Sequence, residues 1–429
     1  MTLARIVLAC LFACAGTQAA QAKNWYVAPN GSDSASGSRS APWASFAKAQ
    51  RVALPGDTVY FRGGTYRFIK GANACASRTS VVDAVLLDKS GSAGKPIRYW
   101  AYPGERPVFD FSGMQDDCRI KGVHVAGDYI HLKGLEITGV PQNNNLNHES
   151  WGVWIEGSHN VFEQLDIHHI MGAGLFIANG GDNLVLNSDS HHNYDPLTSN
   201  GAGESGDGFG AHIRAGHPGN VFRGCRAWMN SDDGFDLIRA YSPVLIENSW
   251  SWQNGYLPGT LTPIGNGNGF KMGGYGLKYD PRGVKHTLRF SVAFHNRAAG
   301  VYANHHTLAN DYLDNTSFDN GADFNMLGLG PDGPVNLGRL RNNLAFGRTP
   351  FVNMSEDAAF NSWTLPVKVS AEDFASVSAA GWDAPRRVDG SLPQLAAFHL
   401  VAGSDLIDAG TETGLPYKGR APDLGAFER

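Results

Sequence analysis

Two short patterns recur in a fixed order along the middle of this chain. The first is a small residue followed by an apolar one: Gly152-Val153, Gly174-Leu175, Gly208-Phe209, Gly234-Phe235, Gly269-Phe270 and Gly300-Val301. The second is an aromatic two positions before an asparagine: Trp228 with Asn230, Trp252 with Asn254, Phe294 with Asn296, and Phe318 with Asn320. The spacers between them are unequal in length. That is the mark of a solenoid whose coils differ mainly in their loops. Alternating apolar segments such as Tyr129-Ile130-His131-Leu132 make the coils strands rather than helices. We therefore expect an all-β chain, a right-handed parallel β-helix. Its aromatics would stack inside, and its asparagines would ladder at a turn, each amide satisfying neighbouring backbone groups. A β-sandwich gives no reason for strand types to recur in one order. Composition agrees: 53 glycines and only 17% charged residues suit a turn-rich β chain.

The ends depart from the repeat. Residues 1–22 read as a secretory signal peptide, with Arg5, the apolar run from Ile6 to Ala15 and the small-residue site Ala20-Gln21-Ala22. A lipoprotein cysteine at Cys10 or Cys14 is the alternative reading. Either way the protein is expected to be exported, secreted or periplasmic. No later apolar run approaches membrane-span length. The mature chain, 23–429, is expected to form one domain. Residues 23–120 would be the N-terminal cap and first coils, 121–348 the regular coils, and 349–429 a packed C-terminal tail. A helix over 42–52 would cap the first coil, and a second short helix is expected near 371–380. Cys75 and Cys118 can pair in an oxidising compartment, while Cys225 sits at an inward strand position. With 35 basic against 40 acidic residues, the net charge of −5 gives no reason to expect nucleic acid as a partner. A monomer is expected.

Aligning the coils on the first pattern gathers the chemistry. Just before the small residue stand Asp207, Asp233 and Asn268; two after it stand Gly210, Asp236, Lys271 and Tyr302. Equivalent residues of neighbouring coils lie ~4.8 Å apart. Asp207, Asp232, Asp233 and Asp236 would then form one cluster, with Lys271 one coil beyond. Four carboxylates so close cannot all remain ionised without compensation. An oxygen-only set suits Ca²⁺. Acidic turn residues on a solvated face, with a surface lysine paired to Asp236, are the plainer reading. Beside a cation, Lys271 could serve as a neutral amine and general base. Those two parts suit β-elimination in a uronic-acid polysaccharide. The cation neutralises the carboxylate next to C5, the lysine removes the C5 proton, and the glycosidic oxygen at C4 leaves. Arg239, Tyr275, Lys278, Arg282, Tyr302 and His305 are candidates for a cationic and aromatic rim around an anionic polysaccharide. The pairs His168-His169, His191-His192 and His305-His306 are expected at different landmark positions, which argues against a transition-metal site.

The order Gly-Asp-Gly-Phe, Ser-Asp-Asp-Gly-Phe-Asp and Gly-Asn-Gly-Phe-Lys-Met-Gly-Gly resembles the family 9 polysaccharide lyases, most strongly over 207–320. The resemblance implies a secreted, calcium-dependent pectate lyase. Calcium would be held by Asp207, Asp232, Asp233 and Asp236, and Lys271 would be the base. A lyase on rhamnogalacturonan or alginate, a non-catalytic carbohydrate-binding β-helix, and a hydrolase using paired aspartates remain open at this point.

Overall fold

The computed structural model describes residues 21–77, 80–142, 148–199, 201–347, 352–353, 355 and 357–429. The expected leader therefore falls, but for its last two residues, outside the described part. Three long sheets run the length of the molecule. One has 12 strands, from Asn24–Val27 to Asp357–Ala358; the other two have 10 each. Every pairing within them is parallel, and each strand pairs with its counterpart one coil away. This is the parallel β-helix that the recurring patterns predict. Only the hairpin Leu327–Gly330 with Gly333–Asn336 is antiparallel. Among the described residues, no helix is long and apolar enough to cross a membrane.

Inside the coil, Phe209, Phe235 and Phe270 stack one above another with ring centroids 5.0 and 4.9 Å apart. Such offset stacks add to the burial of the rings themselves. The corners are set by polar side chains. Asn193, Asn230, Asn254, Asn296 and Asn320 form a ladder in which each Nδ2 donates to the next Oδ1 at 2.9–3.0 Å. The residue before each ladder asparagine (His192, Met229, Gln253, His295 or Asp319) has φ between 49 and 55°. A left-handed residue turns the chain sharply, and the buried amides compensate its strain.

Three expectations need correction. The aromatics Trp228, Trp252 and Phe294 do stack, Trp228 on Trp252 at 4.9 Å, but outside the coil. Their neighbours Ala227 and Ala293 take the inward positions, because residues alternate faces along a strand. The helix begins at Phe46, not at residue 42, since Trp43 bridges to Val27 as an extra extended segment and Ser45 caps the helix. Near 371–380 only the turn Ala371–Asp373 is helical; Phe374 and Ser376 bridge to Leu400 and Ala397 instead.

The C-terminal tail does not close the end of the solenoid. It lies along one flank and covers the outer aromatic column with Phe374, Trp382, Phe398 and Leu406. A buried carboxylate fastens it. Asp189 accepts from Arg226 at 2.8 and 2.6 Å and from Arg386 of the tail at 2.6 and 3.2 Å. Near the N-terminal end, Cys75 and Cys118 form a disulfide.

Candidate active site

The site lies on the sheet that contains Ser150–Ile155, Gly172–Ile177, Phe209–Ala211, Phe235–Asp236, Phe270–Lys271 and Ala299–Tyr302. Its register pairs Gly210 with Asp236, Asp236 with Lys271, and Lys271 with Tyr302. The alignment read from the sequence is therefore the alignment of the coils. Short strands of two residues carry Asp236 and Lys271 because glycines and turn residues flank them, which leaves the backbone beside them free to bind side chains.

The carboxylates are held from below by the backbone of the next coil. Asp207 Oδ1 accepts from the Asp233 N–H at 3.1 Å. Asp233 Oδ1 accepts from the N–H and the Nδ2 of Asn268 at 2.7 and 2.8 Å. Asp232 Oδ1 accepts from the Asn266 N–H, and Asp236 Oδ1 from the Ile238 N–H, each at 2.7 Å. One ligand atom from each of Asp207, Asp232 and Asp233 lies within 4.8 Å of the others. Asp236 stands apart from that triad. Its Oδ2 is 3.1 Å from Lys271 Nζ, which also sits 3.0 Å from Asp233 Oδ2.

All five side chains are buried, with Lys271 the most exposed at 9%. Burial pushes Asp207 and Asp232 well above the usual carboxylate range, and neighbouring aspartates push them further. Asp233 is also raised by burial, although Lys271 opposes the shift. Burial acts against the Lys271 ammonium, but Asp233, Asp236, Asp232 and Asp207 outweigh it and hold the amine well above its ordinary value. Four acids thus face one base. The excess negative charge and the oxygen-only donors fit a hard divalent cation among Asp207, Asp232 and Asp233.

The expected rim divides. Tyr302 lies next to Lys271 in register, and its hydroxyl meets His305 Nδ1 at 3.1 Å; both line the groove. Tyr275 does not: it is buried, hydrogen-bonded to Ala240 O and the Val284 N–H. Arg282 is tied to Asp280 and packs over Tyr241 on the surface. Lys278 is exposed and lines neither part of the groove beside Lys271, and Arg239 stands beside Gly276 at its edge. Sequence reasoning missed Trp154, Phe176, His212 and Arg214, which line the same groove of about 910 Å³. The signal was present: Trp154 and Phe176 extend the column of Gly210, Asp236 and Lys271 backwards by two coils.

A second group of acids and imidazoles lies on another sheet. His168 and His191, contrary to expectation, are in register and stacked at 5.0 Å. Their Nε2 atoms meet Glu136 and Asp166 at 3.2 and 3.0 Å, and Arg106 pairs with both acids. Its charges are matched, so nothing there calls for an ion.

The fold and site define a class: a right-handed parallel β-helix that presents a buried acidic cluster and a lysine on one sheet. The model of the family described as "Pel9A-like, right handed beta helix region" matches residues 25–343. Pectate lyase L of Dickeya chrysanthemi is 39% identical over 416 residues, covering 94% of this chain and 90% of the relative. Pectate lyase PEL9 of Emericella nidulans is 30% identical, covering 90% of this chain and 94% of the relative. Among solved structures, a rhamnogalacturonan lyase superposes with a TM-score of 0.83 at 35% identity, covering 89% of this chain and 97% of that one. Pectate lyase Pel9A superposes at 0.79 and 36% identity, covering 95% and 96%. The chain belongs to polysaccharide lyase family 9.

Proposed function

We propose that this protein is an exported, monomeric lyase that cleaves pectate by β-elimination, with Lys271 as the base. The observation that carries the reading is Lys271 Nζ between two buried aspartates, beside an oxygen-only triad. Asp207, Asp232 and Asp233, with Asp236 beside them, would hold Ca²⁺. When bound, the ion supplies positive charge that neutralises the carboxylate of the reacting sugar and offsets the aspartates' hold on the lysine. Lys271 takes the C5 proton as its free amine. The electron pair left on C5 forms the C4–C5 double bond, and the C4–O bond breaks toward the leaving glycosidic oxygen. The products are a new chain end and a 4,5-unsaturated sugar. Asp236 orients the lysine and steadies the ammonium formed. The buried floor keeps both groups in place before substrate arrives.

A second reading, a rhamnogalacturonan backbone as substrate, is favoured by one feature. Along the groove Arg119 pairs with Glu149, and Lys121 lies 3.7 Å from Glu156. Cations already matched by acids suit a polymer in which only alternate sugars are charged. Both readings are tested together. Polygalacturonate and rhamnogalacturonan are incubated with the protein in calcium or in chelator, and absorbance of the unsaturated product is followed. Calcium-dependent signal that is lost in Lys271→Ala is expected, and the preferred polymer decides between the readings. Reducing ends formed without unsaturation would sink both.

A further inference from the structure

The groove is not symmetrical about Lys271. Toward the C-terminal coils it ends in a recess of about 230 Å³, lined by Tyr302, Asn304, His305 and Leu277. Toward the N-terminal coils it continues as the trough of about 910 Å³ and reaches Arg119. The floor of this long arm is the column that carries Lys271 and Asp236. Behind them stand Gly210, then Phe176, then Trp154.

The Trp154 and Phe176 rings lie nearly parallel, at 9°, with centroids 5.0 Å apart. Both are half-buried, whereas the inward rings of Phe209 and Phe235 are fully buried. Gly210 leaves room for them: a Cβ there would come within 2.6 Å of Phe176 Cδ2. His212 joins this pair to the acidic cluster. Its ring meets Phe176 edge-on at 4.6 Å, and its Nε2 is 4.0 Å from Asp236 Oδ2. Lys121 Nζ lies 4.6 Å from the Trp154 ring, and Arg214 is exposed in the same trough.

Proton removal uses none of these groups. Wet, flat apolar surface in a groove is suited to a flat apolar partner. A pyranose ring offers such faces through its C–H groups, with hydroxyls and carboxylate at the edge, where a guanidinium can reach them. At ~4.8 Å per coil, Phe176 is three coils and Trp154 four coils from Lys271. We propose that the Trp154–Phe176 pair is a distal sugar-binding platform, flanked by Arg214 and Lys121. The polymer is then held mainly on the N-terminal side of the base, and the platform gives the enzyme its advantage on long chains. The lyase reading supplies the identity of the polymer; the platform itself stands on the geometry of the groove.

The test compares uronate oligomers of increasing length, from trimer to octamer, prepared from both polymers. In the wild type kcat/KM is expected to climb with length. In Trp154→Ala and Phe176→Ala the ratio of octamer to trimer kcat/KM is expected to fall about tenfold, which corresponds to loss of one modest contact. Trp154→Phe, which keeps a ring, should recover most of it. An unchanged ratio in both alanine variants overturns the platform. Should the wild type cleave no uronate at all, the lyase reading fails and the platform is read by affinity electrophoresis in polymer-containing gels. Retardation is then expected to weaken about tenfold in Trp154→Ala, and equal retardation overturns it. Arg214→Ala alters only an exposed side chain. It is expected to weaken retardation at low salt but not at high salt, and no change at low salt removes Arg214 from the platform.

Discussion

Two buried acidic centres of this solenoid share a scaffold and differ in their balance of charge. At Asp189 one carboxylate meets two guanidiniums, which satisfy both its oxygens. Burial alone would raise its pKa, but Arg386 and Arg226 hold it below the usual value. At Lys271 one ammonium meets four carboxylates, and Asp207 and Asp232 rise well above theirs. Both sit on stacked strands under parallel registers. The first centre is complete within the chain and joins tail to coil. The second is incomplete until positive charge arrives, and it faces a groove. A buried charge left over, rather than a buried charge as such, separates the site from the scaffold.

The comparison can be broken in order of effect. Lys271→Ala is expected to lower kcat about 10²–10⁴-fold, the range of a lost general base, in the unsaturated-product assay, with the fold retained by circular dichroism. A smaller loss would assign proton removal elsewhere. Asp189→Asn should instead spare activity per folded molecule. It leaves two guanidiniums uncompensated and is expected to cost about 3 kcal/mol or more in denaturant unfolding. Calcium at about a hundred times its Kd is expected to stabilise the wild type by about 2.7 kcal/mol in thermal melts, and to stabilise Asp232→Asn far less. Equal calcium shifts would place the ion elsewhere.

Acid should separate the centres as well. Because the native pKa of Asp189 is lowered, its contribution is present above the unfolded value, near ~3.9, and is lost as pH falls through the native one. The stability gap between wild type and Asp189→Asn is therefore expected to be constant from neutral pH down to about 4 and to close below it. At the small end, Arg282→Ala is expected to change neither melting nor turnover, since its partner Asp280 is solvent-facing and exposed pairs contribute little.

Much of this was legible in the sequence because a solenoid makes register a matter of counting. Gly208-Phe209, Gly234-Phe235 and Gly269-Phe270 fix the column, and Asp236 and Lys271 then fall together without any knowledge of loops. The groups missed were those whose meaning depends on which side of a strand faces out. Trp228 was placed inside because it is aromatic, but Ala227 holds that position, and the tail 349–429 gives Trp228 its cover. Tyr275 was placed in the groove because it follows Lys271 closely, yet Gly273 and Gly274, with φ of 118 and 93°, turn the chain inward before it. Trp154 and Phe176 were passed over because the column was followed forward from Asp207 and not back.

The tail along the flank has a consequence for any shortened form of this protein. A chain cleaved before Trp382 would keep every coil and the whole groove. It would also bare a continuous ribbon of rings from Trp228 through Trp252 and Phe294 to Phe318 and Phe346. Such a ribbon is sticky toward other copies. Nicking of the last coils by a protease would thus show first as loss from solution, with catalysis surviving in whatever stayed dissolved.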